Sequence, residues 1–101
     1  MAEPWIQVAT IVAREGDEDE VGRLLAACVP PSRAEQGVLL YELARSKRNP
    51  RQFLVYEAYR DKVARDAHRD SEHVQRLIVG DVLVRAESVD IAPYVAMTEV
   101  S

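Results

Sequence analysis

The chain has 101 residues, 48% of them hydrophobic and 30% charged, with a formal net charge of −4. That length suits one domain, residues 1–101, around a single modest core. Thirteen Lys and Arg are scattered among seventeen Asp and Glu, so no basic stripe faces phosphates and no nucleic-acid partner is expected. The single cysteine, Cys28, rules out an intramolecular disulfide and a metal site built on cysteines, and fits a reducing cytoplasmic location. In the opening MAEPWIQVATIVA, Glu3 stands where a signal peptide is basic, and Gln7 and Thr10 interrupt the apolar run. Neither a signal peptide nor a membrane span is expected.

Trp5 to Ala13 is rich in Ile, Val and Thr and reads as a strand. Asp17 followed by Glu20 has the spacing of a capping box, and the acids from Asp17 to Glu20 suit the positive end of a helix. Val21, Leu24, Leu25, Cys28 and Val29 then recur at helical spacing. Pro30 and Pro31 are expected to break or kink that helix. Val38 to Arg45 and Gln52 to Tyr59 are two more strands, joined by turn residues Lys47, Arg48, Asn49 and Pro50 in a hairpin. Asp61 is a plausible N-cap for a short helix through about Arg69, with Val63, Ala64 and Ala67 inward. Asp70 and Ser71 interrupt it. A second helical piece places Val74, Leu77 and Ile78 on one face, and Gly80 reads as its stop. Arg85 to Ala92 is a fourth strand, closed by Pro93.

The order β-α-β-β-α-β is the ferredoxin-like α+β arrangement, a four-stranded antiparallel sheet with its helices on one face. Ile6 to Ala13, Val38 to Leu43 and Phe53 to Tyr59 nevertheless read as apolar on both faces. A sheet of that kind needs cover on both sides, which predicts a homodimer packed sheet face to sheet face.

The stretch YELARSKRNPRQFLVYEAYRDKVARDAHRDSEHVQRL resembles the antibiotic biosynthesis monooxygenase family. The likeness lies in Tyr41-Glu42, the turn ending in Asn49-Pro50, and Phe53 with Tyr56-Glu57. It continues in Ala67-His68-x4-His73, in the N-terminal strand and turn with Gly16 before Glu18-Asp19-Glu20, and in Gly80-Asp81-Val82-Leu83, which is similar to the quinol-monooxygenase branch. It spans roughly residues 5 to 93. The resemblance implies a dimeric α+β barrel in which each protomer holds a small aromatic, quinol or polycyclic phenolic substrate between sheet and helices. It further implies oxidation by O2 without metal, flavin, haem or other cofactor. A base frees the phenolate, and that electron-rich anion reduces oxygen itself. The alternative is a member of the same fold that binds a small molecule without oxidising it, or isomerises it. Haem degradation fits poorly, because haem-degrading relatives use an aromatic, usually Trp, after the third strand, and the only Trp here is Trp5.

His68 follows Ala64 by four, at the edge of a helix's apolar face, and imidazole titrates near neutrality, so it is a candidate base. Glu57 is the second catalytic candidate, since a carboxylate on an apolar cavity wall is harder to ionise and can take a proton. The competing reading pairs Glu57 with a cross-strand Arg. The resemblance puts Val55, Glu57 and Tyr59 on the cavity side, while the sequence alone leaves the strand's parity open. Tyr41, Tyr59, Val55, Thr10 and His73 complete the proposed substrate-binding set, His73 reading equally as a structural junction residue. His68 and His73 are five apart across a break, not the i, i+4 pair of a helical metal site, and no metal is expected. Cys28 lies on the apolar stripe and packs.

Overall fold

A computed structural model of the protein describes residues 3–100. The elements are strand β1 (Trp5–Ala13), helix α1 (Glu18–Arg33), strands β2 (Val38–Arg45) and β3 (Gln52–Tyr59), and helix α2 (Lys62–Arg69). A π-helix (Val74–Val82) follows, runs on into one short α-helical turn (Leu83–Arg85), and leads to strand β4 (Ala86–Tyr94). The sheet order is β2-β3-β1-β4, antiparallel at every pairing. This is the ferredoxin-like α+β fold that the element order predicts.

Pleating decides where side chains go, because successive residues point to opposite faces. Gln7, Ala9 and Ile11 of β1 and Phe53, Val55, Glu57 and Tyr59 of β3 are buried on the helix side. The core gathers Ala9, Ile11, Phe53 and Val55 with Val21, Leu24, Leu25 and Cys28 from α1 and with Val74, Leu77 and Val82 from the π-helix. Each buried Leu or Val of this set contributes on the order of 1.5–3 kcal/mol of transfer free energy.

Several local expectations change. Pro30 and Pro31 lie inside α1 without ending it. They sit in its last turn, and the carbonyls of Ala26 and Ala27 that they leave without an N–H belong to exposed residues that water can reach. The capping box does not form: Asp17 makes no side-chain cap, and its Oδ1 accepts from Arg85 Nη1 at 2.9 Å instead. Asp61 does cap α2, accepting from the Ala64 backbone N–H at 2.8 Å. Val63 and Ala67, expected inward, are exposed, Val63 by 74%, whereas Ala64 and His68 form the buried face. Gly80 does not stop a helix. The chain winds on because Val82, two residues later, is fully buried, and a side chain at Gly80 would meet the Gln75 carbonyl oxygen at 3.2 Å, five residues back in the widened turn.

Candidate active site

Strands β1 and β3 place Gln7 directly opposite Glu57, and both side chains are buried. Gln7 Nε2 donates to Glu57 Oε1 at 3.0 Å, and the Tyr59 hydroxyl donates to the same oxygen. Gln7 is itself held by Trp5 Nε1, which donates to its Oε1 at 3.0 Å. Arg65 lies 4.5 Å over the Trp5 ring and reaches Gln7 Oε1 at 3.5 Å. Glu57 therefore takes its hydrogen bonds from Gln7 and Tyr59, not from a cross-strand Arg. Burial pushes its carboxyl above the usual range, and the Tyr59 hydrogen bond and the nearby His68 hold it back only in part. Burial likewise pushes the Tyr41 and Tyr59 phenols well up, so both stay protonated as donors.

Helix α2 brings His68 against this floor. Its exposure is only 5%, its Nε2 lies 3.9 Å from Glu57 Oε1, and the Tyr41 and Tyr59 rings flank it at 5.2 and 5.3 Å. Its other nitrogen, Nδ1, is 2.7 Å from Glu35 Oε2, and His73 Nε2 approaches that same oxygen at 2.8 Å. Glu35 comes from the connection between α1 and β2, carried in by Gly37. A Cβ at Gly37 would lie 2.4 Å from that of Ala64, so only glycine lets the connection pack so closely on α2, one turn before His68.

A cavity of about 210 Å3 opens above Glu57 and His68. Gln7, Tyr41 and Val55 share its floor, while Leu25, Ile78, Val82 and Ile91 make its walls apolar. Arg65 and Arg69 also border it, each with a carboxylate partner: Arg65 with Asp66, Arg69 with Asp66 and Asp70. Of the residues singled out in the sequence, His68, Glu57, Tyr41 and Val55 line this cavity. Tyr59 is fully buried beneath Glu57. Thr10 is a correction: its neighbours Ala9 and Ile11 line the cavity, so pleating turns Thr10 to the opposite sheet face. His73 lies behind His68, on Glu35, and does not border the cavity. Gln7 showed in the sequence only as a break in an apolar run. Glu35 carried no signal, being 33 residues from His68 and in a connection.

Glu35, His68 and His73 bring three ligand-type atoms within 4.8 Å of one another, so the carboxylate that the two histidines lacked in sequence is present in space. Both nitrogens nevertheless contact one oxygen, at 2.7 and 2.8 Å. Ligands around a tetrahedral zinc with bonds of about 2.0–2.1 Å stay roughly 3.3 Å apart. The observed distances are those of two imidazole N–H groups donating to one carboxylate.

The sequence pattern of the family described as antibiotic biosynthesis monooxygenase matches residues 4–79. The chain belongs to this family. Rv0793 of Mycobacterium tuberculosis is 32% identical over 93 residues, which cover 90% of this chain and 91% of that protein. Its solved structure matches with a TM-score of 0.89 over 97% of this chain and 99% of that one, at 27% identity. PA3566 of Pseudomonas aeruginosa matches with a TM-score of 0.91 and 32% identity over 97% and 98% of the two chains. SO0527 of Shewanella oneidensis does so with 0.87 and 26% over 95% and 96%. The family's matched region takes in every residue of the cavity floor, from Gln7 to His68.

Proposed function

We propose that the protein is a cofactor-independent monooxygenase that oxidises a small phenol or quinol with O2. The observation that carries this is the pairing of His68 and Glu57, each 5% exposed and 3.9 Å apart, on the floor of a cavity with largely apolar walls. Such a floor takes a proton from a phenolic hydroxyl whose ring rests against the apolar walls. The phenolate then supplies electrons to O2. For a ring carrying a reactive CH2 the balance is CH2 + O2 → C=O + H2O: one oxygen atom enters the substrate, the other leaves as water, and all four electrons come from the substrate. The volume of about 210 Å3 lies below the roughly 300–1,000 Å3 of pockets that take drug-sized ligands. One or two fused rings suit it better than a larger polycycle.

The working unit in this proposal is a homodimer in the cytoplasm. The sheet face away from the helices carries Val8, Val12 and Tyr56 half-buried and Leu54 39% exposed, which is the apolar surface a second copy would cover. The buried free thiol of Cys28 fits a reducing compartment. A second reading, isomerisation, draws on the same pair, since two adjacent proton-handling groups can remove a proton at one carbon and return it at another.

Oxygen uptake with a panel of quinols, naphthols and anthrones, corrected for autoxidation, tests the proposal. Uptake above the uncatalysed rate that falls at least about 100-fold in His68→Ala, the scale of a lost general base, supports it. A substrate that is rearranged with no oxygen consumed selects the isomerase. No turnover with any substrate, beside tight binding of one, leaves a binding protein and ends the oxygenase reading.

A further inference from the structure

We propose that Glu35 is the positioning residue that makes His68, rather than Glu57, the base of this site. The inference rests on the cavity's proposed role in phenol oxidation and adds to it which atom takes the proton and why. The hydrogen positions follow from a chain of contacts. Ser71 Oγ is 2.6 Å from the His68 carbonyl oxygen, which can only accept, so the hydroxyl hydrogen points there. Ser71 Oγ must then accept in its other contact, His73 Nε2 at 3.2 Å, so His73 carries its hydrogen on Nε2. That hydrogen is shared with Glu35 Oε2 at 2.8 Å. As a carboxylate Glu35 only accepts, so the contact of 2.7 Å with His68 Nδ1 requires the hydrogen of a neutral His68 on Nδ1.

A neutral imidazole with Nδ1–H has its lone pair on Nε2. That atom faces Glu57 at 3.9 Å on the floor of the cavity. Glu57 Oε1, the oxygen nearest His68, already accepts from Gln7 and Tyr59. When substrate O–H breaks, the proton goes to His68 Nε2, the electron pair stays on the substrate oxygen, and Nδ1–H remains on Glu35. The imidazolium so formed is balanced by the Glu35 carboxylate through a charge-assisted hydrogen bond. The titratable groups around His68 are Glu35, His73, Glu57, Tyr41 and Tyr59. Arg65 and Arg69 border the same cavity. Arg65 hydrogen-bonds Gln7 on the floor, and its charge partly offsets the burial that raises the Glu57 carboxyl. Glu35 does not border the cavity, so it acts through His68 and touches no substrate.

Nitrogen-15 NMR of histidine-labelled protein at a pH where His68 is neutral reads the tautomer without any substrate. The expected spectrum shows His68 as Nδ1–H and His73 as Nε2–H, with His68 becoming a mixture in Glu35→Gln. His68 found as Nε2–H in the wild type overturns the proposal even if Glu35→Gln does not fold. In turnover, Glu35→Gln is expected to lower kcat by about 10- to 100-fold, the scale seen where a carboxylate that orients a metal-bound histidine is lost. KM stays within about twofold. Wild-type kcat in Glu35→Gln beside an inactive His68→Ala sinks the role of Glu35 and leaves the cavity's catalytic role standing. Unchanged activity in both variants sinks that catalytic role itself. Stoichiometric zinc in purified protein, lost in Glu35→Gln, replaces the hydrogen-bond assignment with metal ligation and overturns it as well.

Discussion

The two faces of the sheet are built from alternate residues of the same strands, yet they have different physics. On the helix side, Phe53, Val55, Glu57 and Tyr59 are all buried, and among the described residues no buried side-chain polar atom lacks a hydrogen-bond partner. On the other side, Leu54 is 39% exposed and Val8, Thr10, Val12 and Tyr56 are half-buried. A carboxylate and an imidazole are held buried and hydrogen-bonded only on the face that the helices cover, so the proposed chemistry is placed there. At one end of this second face Ile6 and Ala58 are buried beside the segment after β4, while the apolar surface around Val8, Val12, Leu54 and Tyr56 stays partly open, as on a surface that associates.

Charging the outer face is expected to have the largest effect. Val8→Asp combined with Leu54→Glu places two carboxylates on adjacent strands of that face and none near the cavity. The expected outcome is conversion of a dimer to a monomer in light scattering at tens of micromolar, with α2 and the cavity floor intact. A wild-type protein that is already monomeric at that concentration overturns the homodimer and leaves the apolar outer face without a second copy to cover it.

How much of this was legible in the sequence follows from the range of each interaction. The strands, α1 and the cap at Asp61 rest on neighbours within a few residues, and their patterns are visible in the chain. The same holds for the hairpin, where Ser46 Oγ accepts from the Arg48 and Asn49 backbone N–H groups, both at 3.1 Å. The parity of β1 is a tertiary fact: Thr10 and Gln7 are both polar breaks in one apolar run, and only packing against the helices decides that Gln7 turns inward. Gly80 carried a local stop signal that lost to the burial of Val82. Glu35 reaches His68 across 33 residues of chain, and no pattern in a single sequence registers such a contact. The clue that was available is Gly37, two residues after Glu35, whose need for a close approach becomes clear once α2 is beside it.

Gly37 is the next place to press on the inner face. Gly37→Ala sets a methyl 2.4 Å from the Ala64 Cβ, so the connection or α2 must move. Overpacking of this kind costs about 1–3 kcal/mol, measurable by urea unfolding. Because the displaced segment carries Glu35, the His68 tautomer should become mixed in the same variant. A fully stable Gly37→Ala with an unchanged histidine spectrum shows that Glu35 does not depend on this approach.

The smallest effect expected is also the most specific to the inner face. Burial raises the Glu57 carboxyl above its ordinary range, so between the unfolded value, roughly 4.3, and the folded one, the folded protein holds more protons than the unfolded chain. Stability from this group is fully present below the unfolded value and is lost as pH rises through the folded one. Glu57→Gln removes the charge while keeping an amide oxygen that can accept from Tyr59 and Gln7, and glutamine has no such pH dependence. The variant should therefore gain on the wild type by about 1 kcal/mol at pH 7.5, the scale of an incompletely compensated buried polar group. The gain should shrink as both are taken to pH 4, in paired urea titrations. A gain that grows on acidification gives the opposite sign: Glu57 would then be better stabilised as an anion in the folded protein than in water, and the inner face would be holding a charge rather than a proton.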